Sequence, residues 1–369
     1  MTILRANTIS GLGTDGPVFD GSLEFNSQNY VILPKGTTDN RVGLGSTAGA
    51  LRYNTDSNKV ELWDGNQWVE VQSSIPLTGG PRGLFGGGYS PTLLNVVDYI
   101  TINTQGNAVD FGDLTQARIS QGGSTCSSST RGVWGGGRNV PSPNFNIIDY
   151  VTISSTGNAL SFGSLLGTRH DLTGFSSSTR GVWAGNSPGV GTYSNVIEYI
   201  TISSTGNSIS FGTLQEVKSI AMSCSSPTRG IIAGGYTGSA VNTIDYVTIA
   251  STGNGVDYGD LTQARFNGGG CSSPTRGVFA SGNSSNVIDF ITIATLGNAQ
   301  DFGDLTSSGL NYISSCSSPT RGIFAGGGPT KVNTIGYITI ATTGNSVYFG
   351  DLTTVKTQAN ACSNAHGGL

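Results

Sequence analysis

Short runs of apolar, β-branched and aromatic residues alternate with polar punctuation along most of the chain. No stretch shows a convincing 3.6-residue apolar period. The pattern repeats. An Arg-Gly pair recurs at Arg82, Arg131, Arg180, Arg229, Arg276 and Arg321, at intervals of 49, 49, 49, 47 and 45 residues. Behind each pair comes a brief apolar run into glycine, as in Arg131–Gly137. A β-branched and aromatic segment follows, at 95–102, 146–153, 195–202, 242–249, 286–293 and 333–340. A Gly-Asn pair comes next (Gly106, Gly157, Gly206, Gly253, Gly297, Gly344), and a second aromatic segment closes the unit, Val109–Leu114 in the first copy and Val347–Leu352 in the last. Val, Ile, Thr, Tyr and Phe bounded by Gly, Asn, Ser and Pro are the chemistry of strands and turns. Each unit therefore predicts four strands: A ending near Cys-Ser-Ser, B holding Arg-Gly, C the Asp-Tyr segment and D the Asp-Phe-Gly segment.

A period near 50 with four strands per unit predicts an all-β fold, a six-bladed β-propeller. The units also resemble kelch repeats: a basic residue precedes A, B ends in Gly-Gly, and a Tyr-containing C leads to an aromatic in D. That last aromatic is Phe or Tyr here, where kelch repeats usually carry Trp, so the propeller is kelch-like. The first unit begins at strand B, near Arg82, while Thr357–Asn364 aligns with strand A. The C-terminal strand within 357–369 is thus expected to complete the first blade and close residues 82–369 into a ring without open sheet edges.

Residues 1–75 do not fit the repeat. They predict a small N-terminal β-rich module with strands at Ala50–Asn54, Lys59–Trp63 and Trp68–Val71, joined by turns at Thr55–Asn58 and Asp64–Gln67. Residues 76–81 read as a linker. So small a sheet is expected to need a partner or a second copy to bury Trp63 and Trp68. Its Arg52-Tyr-Asn-Thr55 hairpin leading to Trp63-x-Gly-x-x-Trp68 resembles a module of bacteriophage tail-fibre and virion structural proteins. The stretches Ala6–Ser10 and Gly16–Asp20 resemble N-terminal segments of phage appendage proteins, notably of marine cyanophages. The resemblance implies a non-enzymatic virion protein, a tail or capsid appendage. Arg52, Tyr53, Trp63 and Trp68 would belong to an anchoring module that meets other phage structural proteins, the chain would be a homo-oligomer (a trimer by tail-fibre analogy), and the propeller would attach to a host-surface glycan. The alternative is a purely structural capsid decoration, neck or tail component with no host ligand. A cellular kelch-like scaffold fits the anchoring motif less well.

Composition narrows the chemistry. The chain of 369 residues holds 57 Gly, and its 18 Lys+Arg against 22 Asp+Glu give a net charge of −4. That balance lacks the basic excess of a nucleic-acid binder. No apolar run is long enough for a membrane helix, and Met1–Gly11 lacks the apolar core of a signal peptide. Four of the five Cys (Cys126, Cys224, Cys271 and Cys316) precede an Arg-Gly by five residues, and Cys362 falls at the same place in the last, partial unit. One shared repeat position predicts small buried hydrophobes rather than disulfides or a Zn site. His170 and His366 are the two histidines, and neither sits at a spacing for a nucleophilic triad or a metal. Neither a sialidase-type Asp-box nor the Tyr/His set of kelch-like copper oxidases is present. No catalytic residue, metal or cofactor is expected.

Antiparallel connectivity sorts the loops by face. The A–B and C–D turns share one face and barely vary, whereas the B–C and D–A loops share the other and differ in length and content. Variable loops on a rigid scaffold are where binding resides. The B–C loops offer Tyr89, Phe145, Tyr193 and Tyr236; the D–A loops offer Arg118, Arg169, Lys218, Arg265 and Lys356, with Gly309 the exception. Aromatic faces stack on sugar rings and the cations attract anionic groups, so these nine residues form a candidate ligand-binding set. Each cation could instead pair with the Asp of its own Gly-Asp-Leu, as Asp113 with Arg118. The Arg-Gly arginines could likewise pair with Asp98, Asp149, Glu198, Asp245 and Asp289 of strand C, or bond the turns.

Overall fold

The computed structural model describes residues 33–41, 48–57, 59–70, 80–121, 123–140, 143–189, 191–307 and 309–369. The stretches Ala6–Ser10 and Gly16–Asp20, together with Asn58, Val71 and linker residues 76–79, lie outside them. The chain divides into two units, Met1–Ile75 and Pro76–Leu369. The described residues are all-β, with seven four-stranded sheets.

In the first unit Leu51–Asn54, Lys59–Trp63 and Trp68–Glu70 form the expected meander, and Lys35–Gly36 adds a parallel fourth strand beside Tyr53–Asn54. A two-residue strand of Lys and Gly carries no periodicity, which is why the sequence does not announce it. The centre of this unit is polar. Glu61 is buried and held by Arg41, by Arg52 (3.7 Å) and by Asn54 Nδ2 (2.8 Å). The Arg52 guanidinium donates to Thr37 O at 2.8 Å and lies 5.6 Å from the centre of the Trp68 ring. Trp63 packs 5.6 Å from Trp68 and is 7 % exposed within the single chain. The expectation that Trp63 needs another copy for its burial is therefore corrected: the sheet covers it.

Among the described residues the second unit holds six four-stranded sheets in A-B-C-D order and a two-stranded one, Tyr89–Ser90 with Thr92–Leu93. Sheet 1 is Asn360–Ser363, Arg82–Gly86, Val96–Thr101 and Val109–Asp113, with Asn360 opposite Gly86 and Ser363 opposite Gly83. Sheet 2 is Thr125–Ser127, Arg131–Gly135, Ile147–Thr152 and Leu160–Ser164. Sheet 3 is Thr173–Ser176, Arg180–Gly189, Thr192–Thr201 and Ile209–Lys218, its last three strands each ten residues long. Sheet 4 is Met222–Ser225, Arg229–Ala233, Thr243–Thr248 and Val256–Asp260. Sheet 5 is Gly269–Ser272, Arg276–Ala280, Val287–Thr292 and Gln300–Asp304. Sheet 6 is Ser314–Ser317, Arg321–Ala325, Thr334–Thr339 and Val347–Asp351. Strand A of each sheet contacts strand A of the next, and sheet 6 contacts sheet 1, so the contacts close on themselves.

The apolar core lies between sheets. Leu84, Val97 and Phe111 of sheet 1, for example, pack with Trp134, Val151 and Ile153 around sheet 2. All six sheets carry a register shift in the C–D ladder, as between Val97 and Asp98, where Phe111 is the extra residue of strand D. Val97 and Asp98 are consecutive and both buried because both faces of the sheet are covered, Val97 toward sheet 2 and Asp98 toward Lys356.

Two glycine rules of the repeat follow from contacts between sheets. A Cβ on the Arg-Gly glycine would strike the strand-A cysteine of a neighbouring sheet, or Phe175 in the case of Gly230: Gly181 meets Cys126 Sγ at 2.3 Å and Gly277 meets Cys224 Sγ at 2.5 Å. All five thiols are free and buried there, and burial pushes their pKa values up, as expected of small hydrophobes. The strand-D glycine admits the next C–D turn: a Cβ on Gly212 would stand 2.1 Å from Gly253 O. That turn's Asn254 then accepts the Thr213 amide at 3.1 Å. The same Gly-Asn clamp recurs at Asn107, Asn158, Asn207, Asn298 and Asn345, once per seam.

Candidate functional site

The basic residues of the D–A loops are buried in ion pairs with the strand-C acid of the next sheet. Arg118 meets Asp149 at 3.0 Å, Arg169 meets Glu198 at 3.0 Å, Lys218 meets Asp245 at 2.9 Å, Arg265 meets Asp289 at 2.6 Å and Lys356 meets Asp98 at 2.8 Å. This corrects both sequence readings. Arg118, Arg169, Lys218, Arg265 and Lys356 do not present a cationic ring to a ligand, and they do not pair with their own Gly-Asp-Leu. Their charge is neutralised inside the seams, because each strand-C acid faces the preceding sheet. Burial lowers the pKa of Arg118 and Arg265 against the pull of their carboxylates.

The exception is informative. Gly309 stands where sheet 5 should supply a cation, and Gly336 stands where sheet 6 should supply the acid. Both partners of one pair are missing together. A cavity of about 30 Å³ lies there, lined by Thr306, Leu310, Phe324, Thr334, Gly336 and Ser346 among others. Thr306 and Thr262 are equivalent, but Thr262 bonds the Asp289 carboxylate whereas the Thr306 amide turns to Ser346 Oγ at 2.9 Å.

The Arg-Gly arginines leave the strand-C acids alone. Each stacks on the aromatic of its own strand C, from Arg276 over Phe290 at 4.5 Å to Arg82 over Tyr99 at 4.9 Å. Each also donates through Nη1 to a carbonyl at the end of the next strand C, as Arg180 to Ile249 O at 2.9 Å. These contacts are structural, and they make the A–B and C–D face uniform.

The B–C and D–A face is not uniform. The long strands of sheet 3 extend it into a hairpin whose last pair is Gly189 with Thr192. Tyr193 leaves this hairpin and meets Tyr236 of the sheet 4 B–C loop, ring centres 5.6 Å apart and nearly perpendicular. Tyr236 in turn packs 4.9 Å from Phe266, a D–A residue that the sequence reading passed over. All three are half-buried. Phe266 follows a repeat cation and breaks no motif, so only the juxtaposition reveals it. Tyr89 and Phe145, also half-buried, do not join this group; Tyr89 instead lies under the Lys331 ammonium at 4.6 Å.

On this face five D–A residues adopt left-handed backbone: Asp171, Ile220, Asn267, Tyr312 and Gln358, with φ from 57° to 65°. Their amides and carbonyls link in series, as Asn267 N to Ile220 O at 3.2 Å and Tyr312 N to Asn267 O at 2.8 Å. His170 and Asp171 break the pattern with charge: His170 Nε2 is 3.3 Å from Asp171 Oδ2, and Asp171 Oδ1 accepts the Gln121 amide at 3.0 Å. Burial, with the Arg138 charge nearby, pushes His170 down to about 4. Burial also pushes Asp171 up to about 6 against that same charge and the Gln121 amide.

Strand-A residues of all six sheets line a cavity of about 70 Å³ that His366 also lines. Serine hydroxyls pass round it, each to the carbonyl of the neighbouring serine: Ser363 to Ser317, Ser317 to Ser272, Ser272 to Ser225, Ser225 to Ser176 and Ser127 to Ser363. At Ser176 the chain is broken, because its hydroxyl meets His366 Nε2 at 3.1 Å. His366 Nδ1 accepts the Gly368 amide at 3.0 Å, which requires the neutral ring, and burial pushes the group down to about 4. The unfolded chain binds a proton below pH 6.5 that the folded chain refuses until about 4. Stability therefore falls as pH drops through that window, by on the order of 3 kcal/mol. His170 adds a loss of the same sign, which the raised Asp171 opposes, since a carboxyl with a raised folded pKa gains stability as pH falls below 6. Urea titrations between pH 7 and 4 are expected to show a markedly flatter profile for His366→Gln than for the wild type.

Among the described residues no cluster of three or more His, Cys, Asp or Glu could hold a metal ion. No protein-family model and no curated protein matches the chain, so function is read from the geometry.

Proposed function

We propose that residues 82–369 form a six-bladed, kelch-like β-propeller and that the chain is a non-enzymatic bacteriophage virion protein, a tail fibre or appendage. In this reading the N-terminal module docks to other particle proteins and the propeller presents its B–C and D–A face to a host-surface glycan. The observation that carries it is the asymmetry between faces. The A–B and C–D face is spent on repeated seam contacts, while the opposite face carries the sheet 3 hairpin and the half-buried rings Tyr193, Tyr236 and Phe266. Six sheets whose first strands touch in a closed series support the propeller. The non-enzymatic reading is supported by the histidines: His366 is locked between Ser127, Ser176 and Gly368, and His170 sits against Asp171. The phage assignment itself draws on the Arg52–Thr55 and Trp63–Trp68 motif. Mass spectrometry of particles purified from infected cultures tests it: peptides of this chain should appear in fixed ratio to other particle proteins, and their absence from intact particles contradicts the assignment.

A further inference from the structure

We infer that the aromatic group on the B–C and D–A face binds a neutral pyranose rather than an anionic sugar. This rests on the glycan-binding reading above and names its ligand class. Tyr193, Tyr236 and Phe266 come from three separate loops of sheets 3 and 4, yet their centres lie 5.6 and 4.9 Å apart. Three rings gathered from three loops, half-buried on a face of otherwise dissimilar loops and inclined at 78° and 59° to one another, form a faceted apolar platform. Stacking of a pyranose C–H face on such rings needs no charge.

Polar chemistry beside the platform is also neutral. Among the described residues nothing bonds the hydroxyls of Tyr193 and Tyr236, which can meet sugar hydroxyls. Ser219 exchanges backbone hydrogen bonds with Tyr236, and Asn267 follows Phe266 directly; Ser219 Oγ and Asn267 Oδ1 are both buried without a partner. The two phenol hydroxyls, each donor and acceptor, match a polyol and offer an anion no counter-charge, whereas Ser219 Oγ and Asn267 Oδ1 lie out of a surface ligand's reach. The nearest repeat cations, Lys218 and Arg265, are consumed by Asp245 and Asp289. An acidic glycan would therefore lose its hydration here without electrostatic return.

The test is binding of the full chain to an array of neutral and acidic glycans, at low and at 0.5 M salt. Neutral glycans are expected to bind with little salt dependence, since no charge pair is formed. Tyr236→Ala and Phe266→Ala should each weaken binding about tenfold or more, Tyr236→Phe by less, and Tyr193→Ala, near the hairpin tip, provides a variant that leaves the seams untouched. Circular dichroism and melting temperature establish that each variant folds. Binding confined to acidic glycans and abolished by salt overturns the proposal, as does neutral binding that survives Tyr193→Ala and Tyr236→Phe, or no glycan binding at all. In each of these cases recovery of the chain from purified particles still upholds the virion reading, so the two failures are told apart.

Discussion

Deleting residues 357–369 is expected to cost on the order of 5 kcal/mol or more and to remove the single cooperative unfolding transition of the second unit. Asn360–Ser363 supplies strand A of sheet 1, four ladder positions against Arg82–Gly86. The cut takes Ala361 and Cys362 out of two intersheet cores. It also removes Asn360 O, which accepts the Trp134 indole N–H at 3.2 Å, and Ser363, which links sheets 6 and 2 through its hydroxyl and carbonyl. Strand edges at sheet 1 would then lie open, with aggregation as the visible consequence. Calorimetry and size-exclusion chromatography check this, and an unchanged melting temperature contradicts the closure.

Replacing Arg265 by Met should destabilise the chain by about 3–5 kcal/mol, because it leaves the Asp289 carboxylate buried without its counter-ion. Asp289 is fully buried and Arg265 also bonds the Phe279 and Val287 carbonyls, so no water replaces the lost donors cheaply. The double variant R265M/D289L should recover most of the loss, since a buried pair and an apolar filling of similar size are close in free energy. The chain already contains this experiment: Gly309 and Gly336 remove both charges at one seam. Denaturant unfolding of the two single variants and the double gives the coupling. A double variant as damaging as R265M alone would show that the pair is worth more than its charges.

Repetition made the strands legible. Arg-Gly, Gly-Asn and Asp-Phe-Gly fixed four strands per unit, and the Cys spacing announced one buried environment. What repetition concealed is the partner across each seam. The Arg118 cation and the Asp149 carboxylate are 31 residues apart in the chain and meet only across the seam between sheets 1 and 2. From sequence, Asp113 is the nearer candidate for Arg118 and lies on the wrong side of the ladder. The joint loss at Gly309 and Gly336 was the available clue, since two exceptions to two separate rules point to a pair. Phe266 left no such clue, because an aromatic beside a repeat cation looks like any loop residue until Tyr236 is seen against it.

A cryo-EM reconstruction of the intact particle tests the central claim most directly, by showing which face of the six-sheet unit is free. The outward-facing account predicts the Tyr193–Tyr236–Phe266 face in solvent, on an appendage, with the N-terminal module at the particle. Density of neighbouring particle proteins packed over those three residues would contradict it and make the chain a structural fitting.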